Sequence, residues 1–498
     1  MVPTLLATLL IPALGFPFVY LAGKKSAKLA AIAVVLLTLV DLALVLTTVP
    51  AVLNNANNIY FENYAWLPAV LNTQFTLFVD GISVSMVIMT LVIILAAVIF
   101  SINYMEGKKN LASFYALLSL LTVGLVGVFI SSNLLWFYFF WELMIIPAYF
   151  ILGHWGHKDS YKAAFKFFIY THAGAVFIIL GIGGIFVLTG SLDMFKAANL
   201  LLLANTNIVK WVLIAVTIGF AVKMAIVPLH SWLPDAYTEA PAPMSALLSG
   251  VLTSAGAYAI IRISLGTVLP ALVANSAAFA TDFLYALSIL GVISAFFGSF
   301  LALRETDIKK VMAYSSISFM GYILFGFSLF PATYAVNGAV LLIIAHGISK
   351  GLFFLSAGAL STVLATRNMK EMGGLAEKMP ATATSTITAA LSVAGTPPFA
   401  CFISEVLIFI GAFQATEAAG GGFYVIPTAL MLIVTVLSLA YSLRFISNVF
   451  FGPPKTEAKK IQVPRFMQAS MIMLAALVVV IGIYPTMFLN LIQTVHFL

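Results

Sequence analysis

Fourteen long apolar stretches fill most of the chain, and each is long enough to cross a lipid bilayer. They run over roughly 2–22, 28–49, 79–102, 111–130, 132–152, 162–189, 207–229, 243–268, 280–302, 309–330, 333–363, 384–414, 424–450 and 467–490, here called segments 1 to 14. A membrane-spanning helix needs about 20 mostly apolar residues. In lipid the backbone must satisfy its own hydrogen bonds, so only helices and closed barrels span. Barrel strands alternate in polarity, and these stretches do not, which leaves helices. The connections are short, so residues 1–498 are expected to form a single membrane domain, an all-α polytopic protein of 14 transmembrane helices. Composition agrees: 62% of residues are hydrophobic and 8% charged, against about 25% charged in a soluble domain. A soluble enzyme, a disordered chain and a secreted disulfide scaffold are excluded. One cysteine, Cys401, allows no internal disulfide, zinc cluster or iron–sulfur cluster. No base precedes Lys24, so the first apolar stretch is expected to be a retained helix rather than a cleaved signal.

Lysine and arginine set the orientation. The connections after segments 1, 3, 5, 9, 11 and 13, with their flanks, hold 19 of the 24 basic residues, among them Lys24, Lys108, Lys158, Lys309, Lys370, Lys459 and Lys460. The connections at the other end have only Lys196 and Lys210. The odd connections are therefore expected on the cytoplasmic side, with both termini on the non-cytoplasmic side of a cell or thylakoid membrane. The connection after segment 7 is the exception, with Asp235 and Glu239 and no base. The net charge of +7 thus reads as loop bias, not as a nucleic-acid surface.

Two segments are interrupted by proline. Segment 7 runs into Pro228-Leu-His-Ser-Trp-Leu-Pro234, and segment 12 contains Gly395-Thr-Pro-Pro398. Proline removes a backbone donor and breaks the turn before it. Such breaks persist at membrane depth only inside protein or around a polar cavity, and paired broken helices point to a transport path.

Five charged or titratable groups lie within segments: Glu142 in segment 5, Lys223 in segment 7, His346 and Lys350 in segment 11, and Glu405 in segment 12. Each charge costs about 2.5–3.5 kcal/mol at the bilayer centre on insertion scales, so five are more than a purely structural bundle keeps. A buried acid and a buried base beside one another favour each other's charged forms, so their proton affinities are coupled. His346 and Lys350 are four residues apart and share a helix face. These groups are expected to form a proton-relay axis through the bundle. Arg262 and Asp282 read as interfacial, His154, His157 and Lys158 as ordinary solvated residues, and Cys401 as a small apolar residue. His172 is left unassigned. A haem site is excluded because His172, His230 and His346 offer no facing pair.

Three stretches resemble one family. Trp136-Phe-Tyr-Phe-Phe-Trp-Glu-Leu-Met-Ile-Ile-Pro147 with His154-Trp-Gly-His157 is similar to the antiporter-like (NuoM/NdhD-type) subunits of respiratory complex I. So are Val222-Lys-Met-Ala-Ile-Val-Pro-Leu-His-Ser-Trp-Leu-Pro-Asp235, leading into Ala240-Pro-Ala-Pro243, and Gly395-Thr-Pro-Pro-Phe followed by Ile403-Ser-Glu405. The resemblance implies two inverted five-helix repeats, over 111–268 (segments 4–8) and 280–450 (segments 9–13), with broken helices 7 and 12. It implies that Glu142 and Lys223 are the family's essential pair, His346 a central station and Glu405 the terminal acid. His230 and Asp235 match a motif near one end of the path. One position departs: the family has lysine in segment 8 where Gly250-Val-Leu-Thr-Ser254 places Ser254. Lys350 is expected to restore a central positive charge.

The function implied is that of a proton-translocating subunit in a complex-I-like redox-driven pump. The chain is expected to hold no cofactor, while partner subunits carry flavin and iron–sulfur clusters. Expected partners are other antiporter-like and small membrane subunits, a peripheral redox arm, membrane lipids and a quinone-like carrier bound elsewhere. The alternatives are a subunit of an Mrp-type Na⁺/H⁺ antiporter or of an energy-converting hydrogenase. A sugar or drug transporter is disfavoured, since it needs a polar substrate pocket rather than a row of titratable groups.

Overall fold

The computed structural model describes residues 3–54, 58–65, 73–418, 422–455 and 461–495; Lys459 and Lys460 lie outside them. Among the described residues fourteen helices are long and apolar enough to cross a membrane, one in each of the fourteen segments, the twelfth taking only the second half of segment 12. Segment 11 (Thr333–Leu364) is the innermost, with its most apolar window wholly buried. Segments 3 (Gly81–Tyr104), 4 (Leu111–Ile130), 8 (Ala242–Asn275) and 10 (Ile308–Ser328) are also mostly buried. Segments 1 (Thr4–Lys25), 2 (Ala27–Asn54) and 14 (Arg465–Ile483) lie at the periphery.

Small residues set the helix spacing, as expected where lipid gives helices no hydrophobic reason to associate. A Cβ on Gly298 would fall 2.5 Å from Ser318 N, and one on Gly321 2.5 Å from Ala295 N, so segments 9 (Ala277–Arg304) and 10 cross backbone to backbone. Gly250 of segment 8 and Gly347 of segment 11 meet in the same way, each close to the other's carbonyl oxygen. That crossing sets segment 8 beside His346.

At one end the odd connections are stitched together. Trp155 Nε1 donates to Lys109 O (2.9 Å), and His157 N to Glu239 O and Ile308 N to Arg367 O (2.8 and 2.9 Å). Arg444 donates to the carbonyls of Leu303 and Glu305, and Lys455 Nζ to Lys370 O (2.7 Å). The described lysines and arginines of these connections thus gather at one basic end. The connection after segment 7, which has no base, borrows cations: Arg367 lies 3.7 Å from Glu239, and Lys166 2.7 Å from Asp235. At the opposite end an antiparallel hairpin, Tyr60–Ala65 with Gln74–Val79, covers the bundle. Its Glu62 accepts the backbone N–H groups of Leu5 and Leu6 (2.9 and 3.0 Å), a carboxylate set against the positive end of segment 1.

Both proline breaks are present. Segment 7 is helical over Thr206–Met224 and resumes at Trp232–Glu239. Ala225 ends the first half in the left-handed conformation, φ +55°, and Trp232 Nε1 donates to Val222 O (3.0 Å). Segment 12 is two helices, Pro380–Val393 and Ala400–Ala418, separated at the expected break by Gly395 (φ +66°) and the two prolines. Segment 8 contains π-helical stretches at Leu248–Leu252 and Ile260–Val268. The first is pinned from outside, as Tyr237 OH donates to Leu248 O (3.0 Å). Stretches of this kind frequently mark functional sites.

Candidate functional site

Lys223 is the last-but-one residue of the first half of segment 7, where the helix dipole favours a cation. Its side chain is buried, and Nζ has no hydrogen-bond partner among the described residues. It lies over the rings of Phe167 and Trp141, 5.3 and 5.7 Å from their centroids, so aromatic faces partly replace its solvation. Trp141 precedes Glu142 on segment 5 (Leu134–Trp155). No ion pair within 4 Å joins Lys223 to Glu142.

Glu142 instead meets His172 of segment 6 (Ser160–Thr189), with Oε2 3.1 Å from Nε2. The His172 ring is 4.0 Å from the ring of Phe168, one turn away. The second carboxylate oxygen, Oε1, and His172 Nδ1 are buried without partners. This contact gives the unassigned histidine a place. Its sequence signal was weak: a lone histidine early in a long apolar helix.

Segment 11 places His346 and Lys350 at the centre of the bundle, both fully buried. Lys350 Nζ donates to Met312 O (3.1 Å) and to Ser315 Oγ on segment 10. His346 has no hydrogen-bond partner at either ring nitrogen and lies against Phe319, 5.2 Å between centroids. Ser316, next to Ser315, is hydrogen-bonded to Ser249 of segment 8 (3.0 Å). Neighbouring hydroxyls on segment 10 thus link segments 8 and 11. Ser254 takes no part in that link, since its hydroxyl donates to Gly250 O of its own helix (3.0 Å). On the other side of segment 11, Ser349 is hydrogen-bonded to Ser392 (2.8 Å), and Cys401 Sγ lies 3.6 Å from Ser392 Oγ. Cys401 therefore contacts a buried hydroxyl pair rather than serving only as apolar filling.

Glu405 is buried one turn beyond Cys401, and its carboxylate lies against the Gly395 backbone at the break. His230, in the break of segment 7, has its ring edge-on to Phe297 (4.6 Å) and Nδ1 unpartnered. Asp235 sits apart from the buried groups, half-exposed at the basic end with Lys166.

Four further buried charges, Asp41, Lys309, Arg262 and Asp80, lie outside the sequence expectation. Asp41 of segment 2 is fully buried, with both oxygens unpartnered among the described residues; an acid within an apolar run was its visible signal. Lys309, assigned to a loop, is fully buried, with Nζ donating to Ala240 O (2.6 Å), Ser245 Oγ (3.3 Å) and Thr238 O (3.4 Å). Arg262, expected at the interface, is instead buried and ion-paired with Asp80. Asp80 also caps segment 3 by accepting from Ile82 N and Ser83 N. Among the described residues, no group of three or more histidine, cysteine, aspartate or glutamate side chains is arranged to hold a metal.

Fourteen spanning helices, two of them broken beside buried ionisable groups, define a multi-pass membrane protein of the ion-translocating kind. Residues 131–431 match the family described as NADH:quinone oxidoreductase/Mrp antiporter, TM, and 66–115 match the N-terminal region described as NADH-ubiquinone oxidoreductase (complex I), chain 5 N-terminus. The chain belongs to the NADH:quinone oxidoreductase/Mrp antiporter family, as its three motifs led us to expect. It is 36% identical to NADH-quinone oxidoreductase subunit M of Pseudomonas aeruginosa over 82% of this chain and 78% of that protein. It is 31% identical to F420H2 dehydrogenase subunit M of Methanosarcina mazei over 87% of this chain and 85% of that one. A chain of respiratory complex I from Thermus thermophilus shares the fold, with TM-score 0.85 at 23% identity over 99% of this chain and 98% of that chain.

Proposed function

We propose that this chain is a proton-translocating, antiporter-like membrane subunit of a complex-I-like oxidoreductase, with Glu142, Lys223, His346, Lys350 and Glu405 as its relay. The observation that carries this reading is that Lys223 and His346 are buried at membrane depth with no hydrogen-bond partner among the described residues, His346 one turn from Lys350 on the same helix. Unpaired polar groups there are costly and mark ion paths. Closing Lys223 onto Glu142 favours the charged forms of both, and opening the pair frees a proton to move on. The Ser315–Ser316 hydroxyls link Lys350 to segment 8, which supports Lys350 as the middle station in place of the family's segment 8 lysine. His230, Asp235 and Ser254 are kept as candidate positions on the route in, Asp235 being the outermost.

The two sets 111–268 and 280–450 are read as inverted repeats, supported by a break in the fourth helix of each. The basic end is read as cytoplasmic, with both termini on the other side. Redox chemistry is assigned to partner subunits carrying flavin and iron–sulfur clusters, with a quinone-like carrier bound elsewhere in the complex. Assembly with other membrane subunits is supported by the Glu142–His172 contact, whose side chains are 23% and 39% exposed on the isolated chain. A carboxyl group and an imidazole facing lipid are costly, and a neighbouring subunit would cover them.

The test uses the purified complex in proteoliposomes, with electron transfer and proton uptake measured together. Glu142→Gln and Lys223→Ala are expected to assemble normally and retain less than about a tenth of wild-type pumping. Unchanged pumping in both variants overturns the assignment.

A further inference from the structure

At the basic end, a cavity of about 520 Å³ opens between segments 4 and 5. Lys108, Lys109, His154 and Tyr161 line its rim, and Leu117 and Phe150 line its depth. Among the described residues, no carboxylate lines it. The rim is built rather than loose: Trp155 Nε1 holds Lys109 O at 2.9 Å, and Gly107 and Asn110 turn the chain with φ of +78° and +58°. A second cavity, of about 690 Å³, shares Lys108 but is lined by Arg367, whose charge is met by Asp307 at 3.1 Å and Glu239 at 3.7 Å. The positive charge of the first cavity is not met in this way.

The depth of the cavity distinguishes its occupants. Leu117 lies six residues into segment 4, which starts at Leu111, about 9 Å below the rim at 1.5 Å per residue. Free phosphate has no use for that apolar floor, and an acidic protein segment would stay at the rim. A phospholipid matches both levels, with its phosphate among the lysines and its glycerol and upper acyl carbons against Leu117 and Phe150. Of the lining residues, Phe150 and Tyr161 are 41% and 66% exposed, so the cavity is open along its apolar side toward the bilayer. We propose that the groove between segments 4 and 5 is a binding site for an anionic phospholipid, the headgroup held by Lys108 and Lys109.

The test uses the purified complex in nanodiscs of phosphatidylcholine with a minor fraction of phosphatidylglycerol, with retained lipid counted by native mass spectrometry. The double variant Lys108→Ser/Lys109→Ser is expected to weaken phosphatidylglycerol retention at one site by about thirty-fold, from the typical contribution of two surface lysines. Leu117→Trp fills the floor without changing charge and is expected to displace the lipid as well, whereas Lys108→Arg is expected to retain it. Each variant is compared only as assembled complex, so a folding failure shows as lost yield and Lys108→Arg still reports on the site. Retention unchanged in both the double variant and Leu117→Trp overturns the proposal. So does displacement of the lipid by 10 mM inorganic phosphate while Leu117→Trp has no effect, which makes it a free-anion site. Cross-linking of Lys108 to an acidic segment of a neighbouring subunit in the lipid-replete complex also overturns it.

Discussion

Gly395 offers a direct probe of how the segment 12 break positions its acid. A Cβ built on Gly395 falls 2.5 Å from Glu405 Oε2 and 2.9 Å from Cδ. Ordinary contact begins at 3.4 Å, so Gly395→Ala forces the carboxylate back by about 0.9 Å. Two costs follow. A non-glycine residue at φ +66° loses about 1–2 kcal/mol, and pushing the far end of the Glu405 side chain off its rotamer adds about 0.5–1.5 kcal/mol. Gly190 isolates the first cost: its φ is +65°, and a Cβ there meets nothing within 4 Å. The difference between Gly395→Ala and Gly190→Ala is therefore the contact with Glu405, about 0.5–1.5 kcal/mol. Because a membrane complex rarely unfolds reversibly, the readout is the temperature of half-inactivation together with proton uptake per electron pair. Gly395→Ala should lower both, and Gly190→Ala only the first, slightly. In Gly395→Ala/Glu405→Asp the acid is shorter by one carbon–carbon bond, about 1.5 Å, so the double variant should regain the stability attributed to the overlap. Equal effects of the two glycine variants, with no recovery in the double variant, would falsify the view that the break holds the carboxylate by direct contact.

Two further outcomes are expected. Arg262→Ala leaves Asp80 buried without its cation and should cost about 3–5 kcal/mol, seen as poor assembly and a lower inactivation temperature, while Arg262→Ala/Asp80→Ala recovers part of the loss; equal loss in the single and double variants contradicts the pairing. His157, in the connection after segment 5, is held down to about 3 by partial burial of its ring and then by Lys309, Arg367 and Lys108. Its folded pKa lies below its unfolded value near 6.5, so the unfolded state binds more protons and stability falls as the pH drops below about 6.5. Because the residue is exposed, solvent screens the effect. His157→Gln should narrow the difference in inactivation temperature between pH 7.5 and 5, and a difference equal to wild type would show that His157 does not set it.

The fourteen helices and both breaks could be read from the sequence because each rests on a one-dimensional signal, an apolar run about a bilayer long or a proline within one. The hairpin Tyr60–Ala65/Gln74–Val79 was not legible: its strands are short and pair across eight intervening positions with no hairpin turn signal. The π-helical stretches of segment 8 escaped too. The first is held by Tyr237, eleven residues before the carbonyl it bonds, and no local propensity encodes such a contact.

The site was legible in depth but not in direction. An apolar run locates a charge along the membrane normal, yet a helix apolar all round has no polar face to show which way that charge points. The sequence therefore could not show that Glu142 also reaches His172, nor that Lys223 rests against the rings of Trp141 and Phe167. The same limit explains Lys309. Two residues after Asp307 at the start of segment 10, it counts as a loop lysine in any reading of orientation, yet its stem runs inward and Nζ reaches the carbonyl of Ala240. That carbonyl lies at the gap between the second half of segment 7 and segment 8, where the last carbonyls of a helix lack donors. A cation fits there for the reason it fits the C-terminus of any helix. Lys309 thus ties the broken helix to segment 10, the helix whose Ser315 accepts from Lys350. The charge that sequence counting assigns to orientation also joins the end of the broken helix to the centre of the proposed relay.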